Sequence, residues 1–123
     1  MAHGAVTTVP IARISPEIDP GQNRVFGVVT LIWPYSSTDK RLSLLLVEPD
    51  FRLRAQRGQV RVFFTGASAK ALSKAGIESG DHLSLKLNGV TYGKDHANIS
   101  TPGRSIEWNL QFGQYVDVEV RRY

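Results

Sequence analysis

Between residues 24 and 65, apolar positions fall into three short runs rich in Val, Leu, Ile and Phe, each bounded by polar or turn-forming residues. Runs of this length and type predict strands. The first, "RVFGVVTLIW" (residues 24–33), has Gly27 inside it, where a missing side chain permits a sharp bend or bulge. The second, "LSLLLV" (residues 42–47), is closed by the turn signal Glu48-Pro49-Asp50. The third, "QVRVFFTG", alternates: Val60, Val62 and Phe64 share one face, and Arg61, Phe63 and Thr65 the other. The period then changes. "ASAKALSKAG" predicts a short helix capped by Ser68 and stopped at Gly76. Alternation returns in "DHLSLKLNGV", which sends Leu83, Leu85 and Leu87 inward and His82, Ser84 and Lys86 outward. A polar loop over residues 91–104 follows, then "SIEWNLQF" and "YVDVEVRRY", with Gly113-Gln114 between them predicting a hairpin.

Residues 1–23 hold Pro10, Pro16, Pro20 and Gly21 and no sustained period. They read as an extended N-terminal arm pinned by Val9, Ile11 and Ile14, leaving residues 24–123 as the domain proper. The order is three strands, a short helix, two strands, and an extra C-terminal strand or strand extension. Five alternating strands bury one face by closing into a barrel, and a helix between the third and fourth plugs its open bottom. The order predicts an all-β, five-stranded Greek-key barrel of the oligonucleotide/oligosaccharide-binding (OB) type; an SH3-like barrel or split sheet stays open as an alternative, although neither expects that helix. OB barrels take ligands across strands two and three, between the loops joining strands one and two and strands four and five. The two longest polar loops fall at those places.

Composition narrows the field only a little. The 123 residues suit one domain with one core, and the absence of cysteine removes disulfides, thiolate zinc sites and thiol nucleophiles. No apolar run approaches the roughly 20 residues of a membrane helix, and the first residues lack a secretory pattern, so a soluble intracellular chain is expected. The net charge of +4 matters less than its placement. Residues 51–77 carry Arg52, Arg54, Arg57, Arg61, Lys70 and Lys74 and no acid. Such a segment suits a phosphate-bearing partner, although it is also what a solvated face looks like.

Several short motifs resemble a known family. Gly27-Val28-Val29, Val47-Glu48-Pro49-Asp50, Phe64-Thr65-Gly66, Leu72 and Gly80-Asp81 stand where the first single-strand-binding domain of telomere end-binding proteins of the protection-of-telomeres type has its matching residues. The resemblance covers residues 24–112, and one position departs: the acid closing strand two is usually Asp in that family and here is Glu48. It implies binding of G-rich telomeric single-stranded DNA at chromosome ends in the nucleus, beside other telomere proteins, without catalysis.

The candidate ligand residues follow from the fold. Tyr35, after Pro34 at the mouth of the first loop, and Phe63, beside Arg61 on strand three, offer rings on which a base can stack. Ser37 supplies a short donor. Lys40, Arg41, Arg52, Arg54, Arg57 and Arg61 surround strands two and three and suit phosphates or guanine edges. Tyr92, Lys94 and His96 come from the four-five loop. Trp33 and Trp108 are in phase with apolar neighbours and read as core. His82 and His96 lack a spaced partner for a metal, and no glycine-rich phosphate loop is present. An enzyme, a cofactor, a membrane and a small-molecule substrate are therefore not expected. A protein-binding OB module, a general single-strand binder and an RNA binder remain as alternatives.

Overall fold

The computed structural model describes residues 7–95 and 104–122. Strand β1 is Thr7–Thr8, followed by a 3₁₀ turn at Ile11–Arg13 and strands β2 (Asn23–Ser36) and β3 (Arg41–Val47). Helix α1 (Phe51–Arg54) precedes β4 (Gln59–Thr65), and helix α2 (Gly66–Ala75) precedes β5 (His82–Lys86). Strands β6 (Thr91–Lys94), β7 (Ser105–Phe112) and β8 (Val118–Arg121) complete the chain. One sheet runs in the order β6-β7-β4-β3-β2-β5-β8, with β1 parallel beside β2.

That order forces curvature. β5 and β6 lie five strand spacings apart along the sheet, about 24 Å if it were flat. Only residues 87–90 join them, and five residue steps reach about 17 Å. The sheet must therefore curl until its two sides approach. It is an OB-like sheet whose hydrogen-bonded path, among the described residues, runs from β6 to β8 without closing. The predicted strands one to five correspond to β2, β3, β4, β5 and β7.

Inside the curl lie Val25, Leu44, Leu46, Val62, Leu83, Leu85 and Leu110, with the Phe64 and Phe112 rings stacked 5.6 Å apart. Ile11 and Ile14 are buried in the same cluster, and the Ile11 N–H donates to Glu48 Oε2 at 2.8 Å. α2 packs its Ala69 and Leu72 on the core and ends at Gly76, whose φ of 68° places it in the left-handed region that favours glycine.

Three expectations are corrected. Thr65, not Ser68, precedes the first helical residue, because Gly66 at φ 60° turns the chain straight out of β4. Ser68 is buried within the helix, and its hydroxyl donates to the Thr65 and Phe112 carbonyls. Residues 91–104 are not all loop: β6 pairs with β7. The hairpin across Gly113-Gln114 does not form. β7 is already flanked by β4, in parallel, and by β6, so β8 pairs with β5 instead.

Candidate nucleic-acid interface

Two irregularities in β2 decide what its outer face carries. Val29 pairs with Leu46 and Leu31 with Leu45, so Thr30 is an extra residue with no partner on β3. A bulge of this kind reverses the alternation beyond it. Val25 and Val29 face inward before it, and Ile32 packs on the core after it. Leu31 and Trp33 consequently turn outward, 54% and 44% exposed. Trp33 is thus not a core residue. Gly27 is needed for another reason than a bend: a Cβ there would lie 2.6 Å from the Val47 carbonyl oxygen and 2.7 Å from Leu46 Cγ.

The second irregularity is at the proline. Trp33 pairs with Ser43 and Ser36 with Arg41, so Pro34 and Tyr35 together face only Leu42. Proline donates no backbone hydrogen bond, which suits it to this break. The shift turns Tyr35 onto the core, beside Ala67, Lys70 and Ala71 of α2 and away from the outer face. Because pairing extends to Ser36 and Arg41, residues 37–40 make a compact turn rather than the long polar loop expected there. The Lys40 N–H donates to the Ser36 carbonyl at 2.6 Å, with Lys40 at φ 53°.

The outer faces of β2, β3, β4, β7 and β6 form two rows in register. One row is Trp33, Ser43, Phe63, Gln111 and Thr91; the next is Leu31, Leu45, Arg61, Asn109 and Gly93. Between them opens a cleft of about 540 Å³. The Arg61 guanidinium lies 4.9 Å from the Trp33 ring centre and that of Arg41 lies 4.8 Å from the Phe63 ring centre. Arg61 is restrained, its Nε 3.6 Å from Oδ1 of Asp95, whose side chain is 4% exposed. Arg41 is held by Phe63 and stands at the cleft wall near Asp39.

An amide pair borders the cleft, Asn109 on its lining and Gln111 in the adjoining hollow beside Arg41 and Phe63. Asn109 Nδ2 donates to the Lys94 carbonyl at 3.3 Å, and Gln111 Nε2 donates to Asn109 Oδ1 at 2.9 Å. Both lie over Gly93, where a Cβ would sit 2.6 Å from Gln111 Nε2. The missing side chain leaves room for the pair.

Of the residues singled out in the sequence, Arg41, Arg61 and Phe63 meet in this cleft. Lys94 also borders it, but its ammonium is 3.5 Å from Glu107 and 4.5 Å from the centre of the Trp108 ring. Tyr92 lies on the inner side, edge-on to a partly buried Trp108 that packs on the core as expected, and burial pushes the Tyr92 hydroxyl pKa up. Ser37 and Lys40 sit in the exposed β2–β3 turn. Arg52, Arg54 and Arg57 lie past the far end of β3, around α1. Arg52 is bonded to Asp50 at 2.9 Å and holds that carboxyl below its usual range, and Arg54 donates to the Glu48 carbonyl at 2.7 Å. His96 is outside the described residues. Sequence reasoning missed Trp33, Ser43, Asp95 and Asn109. Ser43 and Asn109 are polar interruptions of apolar strands, a signal that was available.

Chemically, the cleft offers two arginine-backed rings two strand spacings, about 10 Å, apart, with the Ser43 hydroxyl between them and the Asn109 and Gln111 amides beyond Phe63 on β7. Such a surface stacks on flat groups, bonds their edges and neutralises anions. Among the described residues, no three His, Asp or Glu side chains are grouped to hold a metal ion, and no helix is long and apolar enough to cross a membrane.

A curled sheet in this order, with a helix between β4 and β5, defines an OB-like module. The chain belongs to the family described as Domain of unknown function (DUF8502), which matches residues 5–123. No curated protein matches it in sequence. Its fold is similar to that of fission yeast Pot1 in a crystal structure with single-stranded DNA, at 14% identity and a TM-score of 0.61. The match covers 94% of this chain and 40% of that one, so this chain spans well under half the length of its structural relative.

Proposed function

We propose that the protein binds single-stranded DNA across the outer face of β3 and β4, that the DNA is the G-rich telomeric strand, and that binding covers chromosome ends in the nucleus. The observation that carries this reading is the double arginine–ring pairing, Arg61 on Trp33 and Arg41 on Phe63. A base stacks on a ring whatever its identity, worth about 1–3 kcal/mol each. The planar fork of Arg41 matches the O6 and N7 acceptors of guanine, and the Asn109 and Gln111 amides can both donate and accept at a base edge. Ser43, opposite Phe63 in the same row, adds a hydroxyl. The likeness to a protein crystallised with single-stranded DNA supports the polymer, and the motifs resembling telomere end-binding proteins support the G-rich sequence.

The experiment is a titration of fluorescent oligonucleotides: a G-rich telomeric repeat, its scrambled counterpart, the same sequence as RNA, and the duplex. The telomeric single strand is expected to bind tightest and the duplex weakest. Equal affinity for scrambled and telomeric strands would remove the telomeric reading and leave a general single-strand binder. Equal affinity for duplex would remove the stacking mechanism itself.

A further inference from the structure

Among the described residues, four of the five large hydrophobic side chains that stand exposed lie on two elements: Leu31 and Trp33 on β2, Phe51 and Leu53 on α1. The two elements are joined by surface. From Trp33 the outer face of β2 runs back through Leu31 to Phe26, and Phe26 shares a hollow of about 350 Å³ with Pro49 and Leu53. A chain leaving the cleft along β2 therefore arrives at α1.

The chemistry at α1 repeats that of the cleft. Phe51 is 78% exposed, and the Arg54 guanidinium lies 4.0 Å from its ring centre. Arg52 and Arg57 are exposed beside it, Arg57 at φ 60° on the turn into β4. The two nearby acids are engaged: Asp50 caps α1 and bonds Arg52, and Glu48 accepts from the Ile11 N–H. Phe51 and Leu53 on a four-residue helix make a small apolar area beside the roughly 800 Å² per partner that a stable protein interface uses. It is enough for one base.

We infer that α1 is a second stacking platform for the same strand, taking a base on Phe51 and phosphates on Arg54 and Arg57, several nucleotides away from those in the cleft. This rests on the single-strand reading above and extends its footprint. The test compares the intact chain with Phe51→Ala and Phe51→Trp on telomeric oligonucleotides of about 4 to about 16 nucleotides, the span of OB site sizes. Phe51→Ala is expected to bind the shortest strands as the parent does and the longest about tenfold more weakly, with Phe51→Trp restoring the loss. Melting temperatures should stay close, since the ring is largely in solvent. A Phe51→Ala chain that binds every length as the parent does overturns the platform and leaves the cleft reading standing, and so does one that loses equally at all lengths. A parent that binds no length removes the single-strand reading and the platform with it.

Discussion

Replacing Trp33 and, separately, Tyr35 by alanine tests whether the two breaks in β2 pairing set the faces of these rings. A tryptophan side chain buries about 150–250 Å² when enclosed. With Trp33 44% exposed, about 110 Å² of it is covered, and at about 25 cal/mol/Å² its removal costs at most about 2–3 kcal/mol of stability. No interior cavity is left, so the loss should fall toward the lower part of that range. Binding should suffer more specifically. One stacked base is worth about 1–3 kcal/mol, and Arg61 loses the ring over which it is held, so affinity for a telomeric single strand should fall at least about tenfold. Tyr35→Ala should do the reverse. Its ring packs on the core beside α2, so melting temperature drops while the folded protein binds as before. Denaturant unfolding followed by anisotropy titration under folded conditions separates the two effects. If Tyr35→Ala weakens binding and Trp33→Ala does not, the assignment of faces is wrong.

Further outcomes follow from the same geometry. With about three phosphates neutralised, log affinity should fall against log salt with a slope near −2, measured by titration at several salt concentrations; a flat response contradicts it. Gly93→Ala should fold, because the atoms nearest the added Cβ are the movable ends of Gln111 and Asn109, yet it should displace that amide pair and reduce discrimination between telomeric and scrambled strands. Unchanged discrimination would mean that the amides do not read bases. Tyr92→Phe should leave binding unchanged and stability equal or up to about 1 kcal/mol higher, since its buried hydroxyl has no hydrogen-bond partner among the described residues. The raised Tyr92 pKa also sets a direction. The folded state favours the neutral phenol, so stability is intact below about pH 10 and declines as pH rises toward the folded value; Tyr92→Phe should flatten that alkaline decline in a melting series.

Where one strand face is buried and pairing is regular, the sequence pattern was enough. β4 and β5 alternate without interruption, and Val60, Val62, Phe64, Leu83 and Leu85 are all buried as their spacing implies. Arg61 and Phe63 therefore fell on the outer face. β2 misleads because a bulge is defined by what the partner strand places opposite, and "VVTLIWPY" carries no mark of a three-against-two pairing at Thr30. The bulge turns Trp33 outward, and the second shift at Pro34-Tyr35 then turns Tyr35 back onto the core. Phase with apolar neighbours therefore points Trp33 inward and position at the loop mouth points Tyr35 at ligand, both wrongly. β6 was hidden for a different reason. "TYGK" is too short to show a period, and it is a strand because the edge of β7 needs a partner. Nor does spacing in the chain reveal that Asp95 reaches Arg61, a contact made only after the sheet curls.

The central claim is that a single strand lies on the outer face of β3 and β4. Backbone amide chemical shifts, recorded while unlabelled telomeric single strand is added to isotope-labelled protein, test it most directly. The expected changes concentrate at Trp33, Arg41, Ser43, Arg61, Phe63 and Asn109, with Ala67, Lys70 and Ala71 of α2 unmoved. Changes concentrated on α2 with the cleft residues silent, or no changes at saturating oligonucleotide, would contradict it.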